Sequence, residues 1–208
     1  MVTKFIALEN LKKYEGQNLL QYAKKFNINA FVNGKQNKGW KGQVLERLAG
    51  LENNNSKAPN GLGFELKSVS FRKDKNNCFV PKETMAITML NPKELLEYDF
   101  LNSHVWSKLK SLILCIVEWK KPNQEDFKLL KIISIDYLQD DLVIKNIEND
   151  YNLIKNHLKN NGLDSIKSNI GTYIQARTKG KGHGTKSRCF YAKKPLIFDL
   201  VKDSDINP

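Results

Sequence analysis

Residues 112–117 read Leu-Ile-Leu-Cys-Ile-Val, an apolar run with no polar residue inside it. A membrane-spanning helix needs roughly 20 such residues, so this run has the length of a strand. A strand with one wet face alternates apolar and polar side chains. A strand without alternation is buried on both faces and lies in the middle of a covered sheet. The rest of the chain must supply neighbouring strands and covering layers. Residues 8–26 carry Leu11, Tyr14, Leu19, Tyr22 and Ala23 at helical spacing, and residues 39–51 carry Val44, Leu45 and Leu48, with Gly50 as a C-terminal cap. Residues 140–158 repeat the helical pattern through Leu142, Ile147, Tyr151, Ile154 and Leu158. Strand-like segments cover 64–70, 84–90, 112–119, 129–136, 173–176 and 189–192, the first two joined by a charged hairpin through Lys73, Asp74 and Asn76. Polar stretches at 27–38, 52–63 and 177–188 read as loops. The expected class is α/β, with a mixed central sheet flanked by helices.

The 208 residues suit a single domain, 1–208, with or without two lobes. Thirty-four Lys and Arg against twenty-two Asp and Glu leave a net charge of +12. A field of that sign favours a polyanion such as nucleic acid or an anionic membrane surface. A Lys- and Asn-rich proteome produces the same excess with no partner, so charge alone does not choose. The N-terminus has no signal-like hydrophobic stretch. Cys78, Cys115 and Cys189 are far apart and form no CxxC, which points to a reducing cytoplasm and away from zinc. His104, His157 and His183 have no paired metal-ligand spacing, and His157 reads as an ordinary surface histidine.

Glu65-Leu66-Lys67 falls inside a strand-like segment, so Glu65 and Lys67 share one face. A carboxylate can hold a hard divalent cation, and a neighbouring ammonium can orient the attacking water and offset charge in phosphodiester hydrolysis. The pattern recurs by chance, and a simple ion pair is the commoner meaning.

Its surroundings add specificity. Residues 38–46 read Lys-Gly-Trp-Lys-Gly-Gln-Val-Leu-Glu, and 62–68 read Leu-Gly-Phe-Glu-Leu-Lys-Ser. Together these blocks resemble the MutH-like family of PD-(D/E)XK endonucleases, which includes a mismatch-repair nickase and type II restriction enzymes that cut at GATC. Residues 9–26 resemble the family's N-terminal helix pair. Residues 103–109 with the strand ending Val117-Glu118, and then 173–177 and 188–194, resemble its later blocks. The resemblance implies a restriction-endonuclease-like fold with two lobes around a DNA cleft: an N-terminal helical lobe over about 1–50 and a DNA-reading segment over about 170–194. It implies Mg²⁺ as cofactor. It assigns Glu65 and Glu46 as metal ligands, Lys67 as the catalytic lysine and Lys108 as a supporting lysine. Without it, Glu46 and Lys108 would read as solvated surface residues.

The family's pattern has an Asp seven residues before the strand glutamate, and here that position is Ala58. Three readings stand: a deliberate Asp-to-Ala replacement that traps uncut DNA, transfer of a weaker ligand role to Asn60 in a loop of different spacing, or a naturally inactive relative. The first is favoured because the rest of the site is intact; an Asp restored at Ala58 would complete the metal site. The Gly- and Lys-rich loop 178–188 is assigned to DNA, with Lys179, Lys181 and Lys186 on phosphates, His183 as a further DNA contact and Arg177 or Arg188 on guanine. Tyr191, Lys38 and Lys41 join them as DNA contacts. The expected activity is that of a type II restriction endonuclease on double-stranded DNA, as a homodimer on a palindromic site, with no membrane association. A mismatch-repair nickase and a non-catalytic DNA-binding module are the alternatives.

Overall fold

A computed structural model describes residues 2–52, 59–119, 126–136, 141–179 and 187–206. The chain forms two compact units, each discontinuous in sequence: 1–83, 112–135 and 203–208 in the first, 84–111 and 136–202 in the second. The class is mixed α/β, with helices flanking mixed and antiparallel sheets.

The first unit begins with α1 (Lys4–Lys12) and α2 (Leu19–Lys25). The helical spacing over 8–26 is interrupted between them. Helix α1 stops at Lys12 with Lys13 as its C-cap, the chain turns through Gly16 at φ +80°, and Asn18 starts the next helix by accepting from the Leu20 amide. A two-strand hairpin, β1 (Phe31–Val32) and β2 (Lys35–Gln36), occupies the expected loop. Helix α3 (Trp40–Ala49) buries Trp40, Val44, Leu45 and Leu48, and Gly50 ends it at φ +82°. The Asn10 side chain caps the Ala49 carbonyl and ties α1 to α3.

Strand β3 (Glu65–Lys73) pairs antiparallel with β4 (Phe79–Pro81) and parallel with β6 (Ser111–Glu118), while β7 (Leu129–Asp136) lies beyond β6. Every residue of 112–117 is fully buried, as its lack of alternation requires. Leu66, Ile113, Cys115 and Val117 join the core cluster formed with α1, α2 and α3. In the parallel register Glu65 neighbours Leu112 and Lys67 neighbours Leu114. Side chains alternate along a strand, so Glu65 and Lys67 stand on the face opposite that cluster.

The expected hairpin between 64–70 and 84–90 does not form. Asp74 accepts from the Asn76 and Cys78 amides, and Asn77 takes φ +63°, so the chain reverses at once and β4 becomes the partner of β3. The second strand of the expected pair, β5 (Met85–Leu90), pairs instead with β9 (Arg188–Ala192).

The second unit is built on the antiparallel sheet β5-β9-β8, with β8 at Ile174–Thr178. Helices α4 (Pro92–Glu97), α5 (His104–Leu109), α6 (Asp141–Asn161) and α7 (Lys194–Val201) belong to it. Asp150 on α6 is buried and accepts hydrogen bonds from the amides of Thr172, Tyr173 and Ile174 at 2.6–3.0 Å. This carboxylate fixes the entry to β8. Gly171 has φ +84°, and a Cβ there would lie 2.1 Å from the Ile174 carbonyl, so only glycine fits beside Asp150. No described helix is long and apolar enough to cross a membrane.

Two groups carry measurable consequences. Asp150→Ala leaves three amides without their acceptor and is expected to cost about 3 kcal/mol in urea unfolding; a loss under about 0.5 kcal/mol, the size of a surface substitution, contradicts this role. In the first unit, Lys41 donates to Ser70 Oγ at 3.0 Å and lies over the Phe127 ring. Burial lowers its pKa from 10.5 to about 8, with Glu83 opposing and Lys82 adding to the effect. Between those values the unfolded chain holds a proton that the folded chain has released, so stability gains with rising pH. The stability difference between the natural chain and Lys41→Met should therefore move in favour of the natural chain from pH 8 to pH 10. A difference that stays constant with pH contradicts it.

Candidate active site and nucleic-acid interface

The start of β3 brings four polar side chains together in the first unit. Asn60 Nδ2 donates to Glu46 Oε1 at 3.0 Å, the Asn60 amide donates to Glu65 Oε2 at 3.1 Å, and the Leu66 amide donates to Asn60 Oδ1 at 3.3 Å. Lys67 Nζ pairs with Glu65 Oε1 at 2.6 Å. Glu65 is 1% exposed and Lys67 21%, so the carboxylate is buried beneath a lysine that still reaches solvent. Each partner has a local cause. Helix α3 runs past β3 with Lys41 at Ser70 and Glu46 at the Asn60–Glu65 end. The turn before β3 closes with the Gly61 amide on the Phe64 carbonyl. A Cβ on Gly61 would sit 2.0 Å from the buried Phe64 ring, so glycine lets the turn tighten until Asn60 meets Glu65.

Sequence reasoning named Glu46, Glu65 and Lys67, and the fold brings these three together. Ala58, reached by counting seven residues back, lies outside the described residues. Asn60, five residues back, sits at the centre of the cluster. The seven-residue count assumes a loop of fixed length, and the structure describes Asn60 but not Ala58.

Hard divalent cations take oxygen ligands. The Glu46 and Glu65 carboxylates supply oxygens of the type such cations take, whereas Asn60 turns its NH₂ group, not its oxygen, toward Glu46. Among the described residues no group of three His, Cys, Asp or Glu gathers as a metal centre. Lys108 lies on α5 in the second unit and is buried, unlike a solvated surface lysine.

Of the predicted DNA contacts, Lys181, His183 and Lys186 lie outside the described residues. Lys38 is exposed, whereas the Lys41 ammonium is turned onto Ser70 and Phe127. Exposed Lys179 extends the β8–β9 pairing by one bond, its amide donating to the Ser187 carbonyl. The two arginines differ. Arg188 is 7% exposed, with Nη2 3.5 Å from Asp164 Oδ1. Arg177 is exposed, donates to Thr84 Oγ1 at 3.1 Å and stacks on the Tyr191 ring at 4.4 Å. Arg177 pairs with Cys189 in the β8–β9 register, so Tyr191 is its diagonal neighbour on the same face. The sequence identified Arg177 and Tyr191 separately; the supporting Thr84 was not legible, because nothing links positions so far apart before β5 and β8 join one sheet.

Residues 50–156 match the family described as DNA mismatch repair enzyme MutH, just over half of the chain. The type II restriction enzyme Sau3AI of Staphylococcus aureus is 22% identical over 182 residues, covering 86% of this chain and 36% of that protein. This chain therefore spans little more than a third of that relative. The DNA mismatch repair protein MutH of Haemophilus ducreyi is 25% identical over 187 residues, 81% of this chain and 79% of that protein. MutH of Actinobacillus pleuropneumoniae is 24% identical over 178 residues, 84% and 76% respectively. The family match contains Asn60, Glu65, Lys67 and Lys108, with Glu46 just ahead of it, and on this extent the chain belongs to the MutH-like family of PD-(D/E)XK endonucleases.

Proposed function

We propose that this chain is a Mg²⁺-dependent endonuclease that recognises a short sequence in double-stranded DNA, in the manner of a type II restriction enzyme. The observation that carries the reading is the Glu46–Asn60–Glu65–Lys67 cluster at the start of β3. A cation held by these oxygens would acidify a bound water and neutralise charge on the scissile phosphate. Glu46 and Glu65 supply carboxylate oxygens. Lys67, held by Glu65 yet partly open to solvent, directs its ammonium at the attacking water or at the negative charge that develops on phosphorus. Ala58, by the seven-residue count, and Asn60, by its hydrogen bonds, each leave the site one carboxylate short, so the chain as it stands binds DNA better than it cuts.

Sequence is read from the second unit. Tyr191 and Thr84 hold the Arg177 guanidinium in one orientation, which lowers the entropy lost on making a bidentate contact to guanine. Lys179 and the loop lysines neutralise phosphates. GATC is the first sequence to test, and a palindromic target would engage two copies of the chain. A mismatch-repair nickase activated by partner proteins is the second reading, supported by the similarity to the two MutH relatives.

Selection from a random duplex pool, followed by prolonged incubation of the enriched duplex with Mg²⁺, tests the proposal. The expected result is one enriched short sequence and slow Mg²⁺-dependent breaks without added proteins. Lys67→Ala should lose the breaks while its DNA affinity stays within about twofold, since its role is in the transition state. Cutting of one strand only, and only with partner proteins, selects the nickase. Selective binding with no breaks reduces the reading to a DNA-binding module. No enrichment of any sequence overturns it.

Arg177→Ala should cost about 1–3 kcal/mol on the selected duplex and little on random DNA. Lys179→Ala should weaken both and reduce the salt slope by about one unit. Equal losses on the two duplexes for Arg177→Ala would make it a backbone contact.

A further inference from the structure

The Asn60 side-chain amide has one oxygen, and the Leu66 N–H already holds it. Glu46 Oε1 is an acceptor and the Leu66 amide is a donor, so chemistry fixes the orientation: NH₂ faces Glu46, and Oδ1 faces Leu66. Turning the amide over to offer Oδ1 toward Glu46 and a shared cation would set NH₂ against the Leu66 N–H and strip that amide of its acceptor. An aspartate of the same shape escapes the conflict. One of its oxygens keeps the Leu66 bond, and the other takes the present place of Nδ2. That place is 3.0 Å from Glu46 Oε1, close to the roughly 3 Å that separates adjacent oxygens around an octahedral cation with bonds of about 2.1 Å.

We infer that Asn60 is an amide latch in the third-ligand position of the metal site. Its NH₂ group does in the metal-free protein what a cation would otherwise do, holding the Glu46 carboxylate in place beside the turn that binds Glu65. Divalent-cation binding is therefore weak because the amide must break two bonds to admit the ion, and the single change Asn60→Asp converts the latch into a ligand. The position that matters is 60 and not 58. The inference rests on the metal-dependent reading of the site, and it deepens that reading by naming the residue that sets metal affinity.

The test uses Mn²⁺ alone, without DNA, titrated into the full chain and followed by electron paramagnetic resonance, with thermal unfolding in EDTA and in Mn²⁺. Asn60→Asp should bind Mn²⁺ at least about tenfold more tightly than the natural chain, because a carboxylate is added to the ligand set. Adding Glu46→Gln to it should undo most of that gain. Ala58→Asp should stay within about twofold of the natural chain. Asn60→Asp should also melt below the natural chain in EDTA, where its carboxylate faces Glu46, and recover with Mn²⁺, while the natural chain melts at nearly the same temperature in both. Should Asn60→Asp be unfolded in EDTA, recovery of its helical circular dichroism on adding Mn²⁺ supports the latch and failure to recover overturns it. Tighter binding by Ala58→Asp alone, or equal affinity in the natural chain and Asn60→Asp, also overturns it. These readouts contain no DNA, so they fail independently of sequence-selective binding: an unchanged Mn²⁺ affinity removes the latch, and loss of selective DNA binding removes the endonuclease reading.

Discussion

The parallel pairing of β3 with β6 is the constraint on which the first unit depends. A strand with no polar residue over 112–117 must be covered on both faces, and β3 is the neighbour that gives it a long ladder. That register decides which way each β3 side chain points. Leu66 faces the helical cluster with Ile113, while Glu65 and Lys67 emerge on the other face. A shift of one residue would exchange these sets, placing the carboxylate and the ammonium among the apolar side chains of α1, α2 and α3 and leucine in the polar cluster. Hydrophobic burial thus holds the reactive pair in place, although neither charge contributes to it.

The cluster at the start of β3 combines that register with a turn whose tightness comes from packing. The buried Phe64 ring leaves no room for a side chain at position 61, and the resulting turn carries Asn60 up to Glu65. Helix α3 brings Glu46 from a different part of the sequence, fixed by the burial of Trp40, Val44, Leu45 and Leu48. Its first turn is held by Lys41 on Ser70. Desolvation of that ammonium is unfavourable, but the hydrogen bond and the Phe127 ring give it partners.

In the second unit a single buried carboxylate organises the strand entry. Asp150 gathers three successive amides, so β8 leaves α6 in a defined direction and pairs with β9 through Arg177 and Thr178. The arginine stacked on Tyr191 is therefore carried by a rigid ladder. Arg188, one cross-strand pair away, is buried, with only its tip reaching the exposed Asp164 carboxylate. Two arginines that look equivalent in the sequence thus have opposite exposures.

Local pattern determined a good part of this protein. The apolar run required a buried central strand, the helical spacings and Gly50 located α3 and α6, and the blocks around Trp40 and Glu65 carried the family resemblance. Glu65 and Lys67 were legible because strand alternation is a property of neighbouring residues, and Glu46 only through the family resemblance. The partner of β5, the break at Gly16 and the inward turn of Lys41 and Arg188 were not, because each depends on which distant segment supplies the covering surface. The place of Asn60 belongs with these. Counting along the chain pointed to Ala58, whereas the contact of Asn60 with Glu65 runs through space, across a turn tightened against the Phe64 ring. Sequence determined which chemical groups were available; tertiary packing decided which of them met, because contacts between distant segments form only where buried side chains fix the backbone that carries them.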